Sequence, residues 1–243
     1  MVRVIAVNGS PRMNGGNTAL ILGPFLEGMK EEGADVELFY TKRLDIRPCQ
    51  GEFNCWVKRP GECFQDDDMR MLIHKLCDAD IIVLASPVYV DGITGPLKNF
   101  MDRMIPLLHP SFGLREGHCR HPLREGVKTG KLVLVSNCGF HEMDNFDPLI
   151  VHMRAACKNM HREFAGALLR PCGWSLRHAM NNGDLVEDIF EAAREAGRRI
   201  VADGELPDEA LSIVSREIIT LDECFRLHNT WASQVPGAPE KDA

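Results

Sequence analysis

No stretch of the 243 residues approaches the roughly 20 consecutive apolar positions that a membrane-spanning helix needs. The opening MVRVIAVNGSPR turns polar after seven positions and so lacks the apolar core of a secretory leader. Runs of basic residues are missing as well. With 28 Lys and Arg against 35 Asp and Glu, the formal net charge is -7, which leaves no electrostatic footprint for nucleic acid. The expectation is a cytoplasmic protein with neither a membrane nor a nucleic-acid partner. Cysteine is not scarce, but the odd count of nine argues for free thiols rather than a disulfide framework.

What the chain does have is alternation. Short β-rich apolar runs recur at residues 2–8, 35–40, 80–87, 131–137 and 163–171, several of them apolar on both faces, as strands covered on both sides by helices must be. Between them Leu22, Phe25, Leu26 and Met29 keep the i, i+3, i+4, i+7 spacing, and further helices are expected near 67–77, 95–105, 144–160 and 184–202. This order predicts an α/β fold with a doubly wound, five-stranded parallel sheet. Residues 1–205 suit one such domain. Residues 206–243 read as a C-terminal extension, with one helix from the LPDEAL start to residue 234 and then a flexible tail, QVPGAPEKDA.

The segment NGSPRMNGGNTAL joins the first strand to the first helix. Its glycine-rich turn, the Ser10 and Thr18 hydroxyls, the Asn17 amide, the Arg12 guanidinium and the positive end of the helix make a phosphate-binding set. No GKS or GKT closes this loop, and the G-x-G-x-x-G spacing is missing. Ser and Asn also cap ordinary strand-to-helix turns. The position on the first strand of a doubly wound sheet, where ligands collect, favours the phosphate.

After the third strand, SPVYVDGITGPLKNFMDRM offers a stiff loop of Pro87, Val88, Tyr89, Val90, Asp91 and Gly92, followed by Thr94 as expected N-cap and Pro96 in the first turn. After the fourth strand, VSNCGFHEMDNF brings Cys138, Gly139, Phe140 and His141 to the same edge. Tyr89 or Phe140 alone reads as a packing residue. Together the loops of strands 1, 3 and 4 form one rim in a sheet ordered 2-1-3-4-5.

Taken in this order, GSPR...GNT, SPVY...G...K.F.DR and a cysteine segment ending in DDM resemble the NAD(P)H-dependent FMN reductase and iron-sulfur flavoprotein group of flavodoxin-like proteins, over roughly residues 1–205. The resemblance implies that Ser10, Arg12, Asn17 and Thr18 hold the phosphate of FMN. It implies that residues 87–92 border the isoalloxazine ring and that residues 138–141 lie near its other edge. The first loop, MNGGNT, is one residue longer than the commoner family form.

The implied activity is that of an oxidoreductase in which NAD(P)H reduces the flavin and a small acceptor reoxidises it: a quinone, free flavin, nitro or azo compound, or metal ion. The flavin carries that chemistry, so no catalytic side chain is expected. The resemblance also implies a homodimer or homotetramer. Two other functions fit the same pattern, an electron-transfer flavoprotein related to the iron-sulfur flavoproteins and a flavin-binding redox sensor.

The stretch CQGEFNCWVKRPGEC, residues 49–63, holds three thiols, Cys49, Cys55 and Cys63. Iron-sulfur and structural zinc sites normally take four ligands. Aligned on the pattern of the iron-sulfur flavoproteins, Glu52 stands where a second cysteine belongs, so an iron-sulfur cluster is not expected. Zinc and a Cys49–Cys55 disulfide are the lesser alternatives to a loop of packing cysteines that, through Trp56, shapes a flavin pocket or a subunit contact. A long insertion, LLHPSFGLREGHCRHPLREG, gathers His109, His118, Cys119 and His121 at no common zinc spacing. It is expected to act as a lid or substrate contact.

Overall fold

The computed structural model describes residues 1–236; of the expected tail, residues 237–243 lie outside the described residues. In chain order the elements are β1 (Arg3–Asn8), α1 (Asn17–Glu31), β2 (Asp35–Tyr40), α2 (Asn54–Val57), α3 (Met69–Cys77), β3 (Ile81–Pro87), α4 (Gly95–Asp102), β4 (Gly113–Arg115), β5 (His118–Arg120), β6 (Gly130–Asn137), α5 (Asp147–Asn159), β7 (Arg162–Arg170), α6 (Gly173–Asn182), α7 (Glu187–Ala202), α8 (Asp208–Ser215) and α9 (Leu221–Ala232). The main sheet runs β2-β1-β3-β6-β7, and every pairing in it is parallel. With the β4–β5 hairpin set aside, this is the expected 2-1-3-4-5 order of a flavodoxin-like fold.

Successive residues of β1 point to opposite faces of the sheet and build two cores. Val4 and Ala6 pack in one cluster with α1, α7 and α8, whereas Ile5 and Val7 pack in another with α3, α4 and α5. Every residue of β3 is buried, as a central strand covered on both faces must be. On the first face α1 and α7 approach so closely that a Cβ on Gly28 would lie 1.9 Å from Arg194 O, and one on Gly197 would lie 2.0 Å from Phe25 O. Glycine is required at both crossings. The flanking ion pairs Arg194–Glu27 (2.9 Å) and Arg198–Glu31 (2.6 Å) are solvent-facing and add little by comparison.

Two expectations about helices change. Residues 206–234 form two helices rather than one. The Val214 carbonyl in the last turn of α8 accepts a hydrogen bond from buried Arg170 NH1 (2.9 Å), the chain extends at Arg216, and Thr220 restarts a helix by accepting from the Glu223 amide (3.2 Å). Thr220 with Glu223 is a capping pair that stands in the sequence as TLDE. Helix α6, which no periodicity announced, follows β7 through Cys172 in the left-handed region (φ 46).

The long insertion is not a lid over the rim. It folds into the β4–β5 hairpin, and its partners lie at the opposite edge of the sheet: Arg120 NH1 donates to Asn159 Oδ1 (2.8 Å), and His161 Nε2 lies 2.8 Å from His121 O, just before β7 begins. His109 and His121 serve local structure. His109 Nδ1 faces Ser111 Oγ at 2.8 Å, and His121 stacks on Trp56 with centroids 4.7 Å apart. Trp56 therefore packs on the insertion, with its Nε1 donating to Leu108 O (3.0 Å).

The cysteine segment is pinned from beneath by one buried ion pair. Arg103 forks onto Asp67 at 2.7 and 2.9 Å, donates to Arg47 O at 2.6 Å and reaches Cys63 Sγ at 3.2 Å. Burial works to raise the Asp67 carboxyl, but the hydrogen bonds from Arg103 and the Arg47 amide overcome it, so Asp67 titrates below its ordinary 3.8. Replacing Asp67 by Asn leaves a buried guanidinium without its counter-charge and is expected to lower stability at neutral pH by about 3 to 5 kcal/mol. Because the folded pKa is depressed, the wild-type advantage is present above 3.8 and disappears as pH falls through the lowered value. Denaturant titrations of both proteins across that range check it. A gap that does not narrow in acid assigns the loss to something other than charge.

Candidate functional site

The rim expected at the carboxyl ends of the strands is built, and its loops are tied to one another by side chains. The Gly9 amide donates to Ala85 O (2.7 Å), and the Thr94 hydroxyl donates to Gly9 O (2.9 Å), which joins the β1–α1 loop to the start of α4. Thr94 does hold the N-cap position, but its side chain makes this loop-to-loop bond instead of capping the helix. The Ser136 hydroxyl donates to Ser86 O (2.7 Å), and the Val88 amide to Asn137 O (2.8 Å), joining the β3 and β6 ends. Thr18 Oγ1 then donates to Asn137 Oδ1 at 2.5 Å, closing the circuit from α1 to β6.

Within the first loop, Ser10 and Thr18 are buried, Asn17 is half-buried and Arg12 is exposed. The Ser10 amide donates to Asn8 Oδ1 (2.8 Å), while Asn8 Nδ2, also buried, has no hydrogen-bond partner. The loop is tight enough that a Cβ on Gly16 would lie 2.7 Å from Ser10 Oγ. Two cations that sequence reading missed flank it. Arg177 of α6 donates through Nε to Asn17 Oδ1 (3.3 Å) and through NH2 to Gly15 O (3.1 Å); Lys42 donates to Pro11 O (3.1 Å). The result is an anion cradle: buried donors at the positive end of a 15-residue helix, with cations at its mouth.

Residues 87–92 leave β3 as a tight turn. The Tyr89 amide donates to Gly92 O (2.9 Å) and the Gly92 amide to Tyr89 O (3.1 Å), and the two central residues, Val90 (φ 48) and Asp91 (φ 55), both sit in the left-handed region. Val90 is fully exposed at the tip, so nothing packed on it repays the strain of a β-branched residue there.

Residues 138–141 turn towards the C-terminal part of the chain. Cys138 is buried with its thiol donating to Phe140 O (3.2 Å), and burial raises its pKa; Gly139 and Phe140 are exposed; His141 Nε2 lies 3.1 Å from Ile219 O. A fourth loop, after β7, joins this group, with the Cys172 amide donating to Phe140 O (2.6 Å) and the Gly173 amide to Cys138 O (2.9 Å). The structure thus brings all three expected loops to one edge. Its hub, Asn137, was passed over; the signal was a polar residue ending an apolar strand, as Asn8 ends β1.

Residues 2–118 match the family described as NADPH-dependent FMN reductase. The match covers just under half of the chain. An iron-sulfur flavoprotein of Methanocaldococcus jannaschii is 39% identical over 106 residues, 44% of this chain and 53% of that protein. The chain therefore spans about half the length of this relative. One from Archaeoglobus fulgidus is 27% identical over 199 residues, 82% of this chain and 79% of its own length. The FMN-dependent NADH-azoreductase of Bacillus anthracis, solved in complex with FMN, superposes with a TM-score of 0.58 at 15% identity, covering 83% of this chain and all of that one. At that identity the likeness shows the shared fold.

The iron-sulfur relatives bear on the cysteine segment. Among the described residues no three His, Cys, Asp or Glu side chains are placed to hold a metal ion. Cys49 is exposed, the Cys63 sulfur takes the Arg103 hydrogen bond, and burial with the nearby Cys63 pushes the Cys55 thiol up to about 11. The Glu52 carboxylate accepts locally from the Asn54 amide (3.3 Å). These residues do not fit an iron-sulfur cluster.

The strained turn makes a direct prediction. Val90→Gly removes the left-handed penalty and is expected to raise thermal stability by about 1 kcal/mol, as read by calorimetry. An unchanged or lower midpoint shows that other contacts support the turn.

Proposed function

We propose that the chain is an FMN-dependent oxidoreductase that passes electrons from NAD(P)H through bound FMN to a small acceptor such as a quinone, free flavin, nitro or azo compound, or metal ion. The observation that carries this reading is the anion cradle of the β1–α1 loop, with its unpartnered buried Asn8 amide and its flanking Arg177 and Lys42. The residues present fit the phosphate end of FMN: Ser10, Asn17 and the first amides of α1, that of Thr18 among them, bind it, Arg12 and Arg177 neutralise it, and the Thr18 hydroxyl, already donating to Asn137, holds the loop in place. When bound, FMN supplies hydride acceptance from NAD(P)H and electron release to the acceptor.

The other groups position and shield. The 87–92 turn offers amides at the ring's edge, where fixed dipoles stabilise added negative charge without reorganising. Residues 138–141 border the other edge, with Phe140 excluding water. No side chain is assigned a proton-transfer step. The poor fit of the cysteine segment to a cluster favours this reading over an electron carrier that relays through iron and sulfur. We also propose that residues 1–205 are the flavin-binding unit and residues 206–243 an extension of it. The nine free thiols suit the reducing cytoplasm, and the outward Leu221, Phe225 and Trp231 suit a homodimer or homotetramer. No helix among the described residues is long and apolar enough to cross a membrane.

Fluorescence titration tests the cradle. Arg177→Ala and Arg12→Ala are each expected to weaken FMN binding about tenfold, the scale of one charge-assisted hydrogen bond, while riboflavin, which has no phosphate, binds each variant as it binds the wild type. Equal losses for both ligands place the phosphate elsewhere. NAD(P)H oxidation by the FMN-loaded wild type, with each acceptor class added in turn, tests the activity itself.

A further inference from the structure

Cys172 and Cys224 are 52 residues apart in sequence, yet their sulfurs lie 3.2 Å from each other, within a thiol–thiol hydrogen bond. One sits at the β7–α6 junction, bonded through its amide to the rim residue Phe140; the other sits early in α9. Around them is a small apolar cluster of Ile219, Trp174, Ile218 and Leu227, which joins α9 to the body of the protein. The same helix also carries the exposed Leu221, Phe225 and Trp231. A helix held by so small a cluster opens locally far more often than the core does.

Cys224 is also a wall of a cavity of about 310 Å³, which it shares with Gly139, Phe140, His141, Trp174 and Phe225. A small oxidant in that cavity meets Cys224, at 8% exposure, whereas Cys172, at 2%, borders a smaller cavity of about 160 Å³ beside Arg170 and Ser175. Burial and the hydrogen bond with Cys224 push the Cys172 thiol up to about 12, so it stays protonated until its partner has reacted. Sulfurs bonded in a disulfide are about 2.05 Å apart, so closure asks for a shift of about 1 Å.

We propose that Cys172 and Cys224 are a two-electron redox pair, oxidised by a hydroperoxide to a disulfide that latches α9 against the rim. The Cys224 sulfur attacks one peroxide oxygen; the O–O bond breaks, leaving a sulfenic acid on Cys224 and releasing the other oxygen, with the thiol proton, as an alcohol, or as water when the oxidant is hydrogen peroxide. The Cys172 sulfur then attacks the Cys224 sulfur; the S–O bond breaks, the S–S bond forms and the second oxygen leaves as water, carrying the remaining thiol proton. Two electrons from the thiol pair reduce one peroxide, and a dithiol reverses the step. The latch fixes the wall of a cavity that residues 139–141 also line, so it sets access to that edge of the rim. It does not depend on which cofactor the cradle binds.

The test uses the full-length, reduced wild type treated with hydrogen peroxide, alkylated in denaturant with N-ethylmaleimide and mapped by mass spectrometry. Amide exchange is followed on a parallel sample. The expected result is a linked Cys172–Cys224 peptide two hydrogens lighter than the separate pair, with exchange across residues 221–232 slowed about tenfold and both changes reversed by dithiothreitol. In Cys172→Ser, oxidation stops at a dimedone-reactive sulfenic acid on Cys224. Three results overturn the proposal: both thiols still alkylated after peroxide, either one linked to a different cysteine, or a correct link that leaves exchange in α9 unchanged. The wild-type map decides even if the variant folds poorly.

Discussion

The hydrogen bond from Thr18 to Asn137 joins the helix after the first strand to the end of the fourth strand of the main sheet. Parallel strands satisfy one another's backbone groups only along their length, and at their carboxyl ends the loops must find other partners. Here Thr94 and Ser136 accept that role alongside Asn137, each spanning two strands or loops with a buried hydrogen bond. Because these bonds run between loops, the anion cradle, the strained 87–92 turn and residues 138–141 hold fixed positions relative to one another. A site assembled from segments more than 100 residues apart needs that rigidity before it can bind anything with precision.

The face of the sheet that carries α3 and α4 is organised by a separate device. Arg103 and Asp67 pair their opposite charges in a site closed to water, and from there Arg103 reaches the Arg47 carbonyl and the Cys63 sulfur. The cysteine segment is thus bound into a structural network with the insertion, through Trp56 and through Arg124, which donates to Cys55 O (3.1 Å). A thiol that already accepts from a guanidinium, with neighbours that among the described residues are not placed to share a metal ion, makes a poor ligand but useful packing.

Alternating strands and helices, their order and the loops at the strand ends were all legible in the chain, because apolar periodicity reports burial directly and glycine-rich turns after strands report position. That the 9–18 loop, residues 87–92 and residues 138–141 share one edge was legible for the same reason: each loop starts at the end of a strand. Arg177 was not, since it belongs to α6, whose short PCGWSLRHAMNNG run carries no strong stripe and whose start depends on Cys172 adopting a left-handed conformation. The break between α8 and α9 was half legible. The TLDE cap was in view, but the buried Arg170 that takes the Val214 carbonyl in the last turn of α8 comes from a strand about 40 residues earlier.

The sequence by itself determined the layer architecture and which loops share an edge, since both follow from local pattern and from the handedness of parallel crossovers. Only the tertiary structure decided what lies across each gap: Asn137 beneath Thr18, Arg103 beneath Cys63, the insertion at the far end of the sheet and Cys172 against Cys224. Such contacts join residues distant in the chain, and their geometry depends on how two packed layers settle against the sheet, which no local spacing encodes.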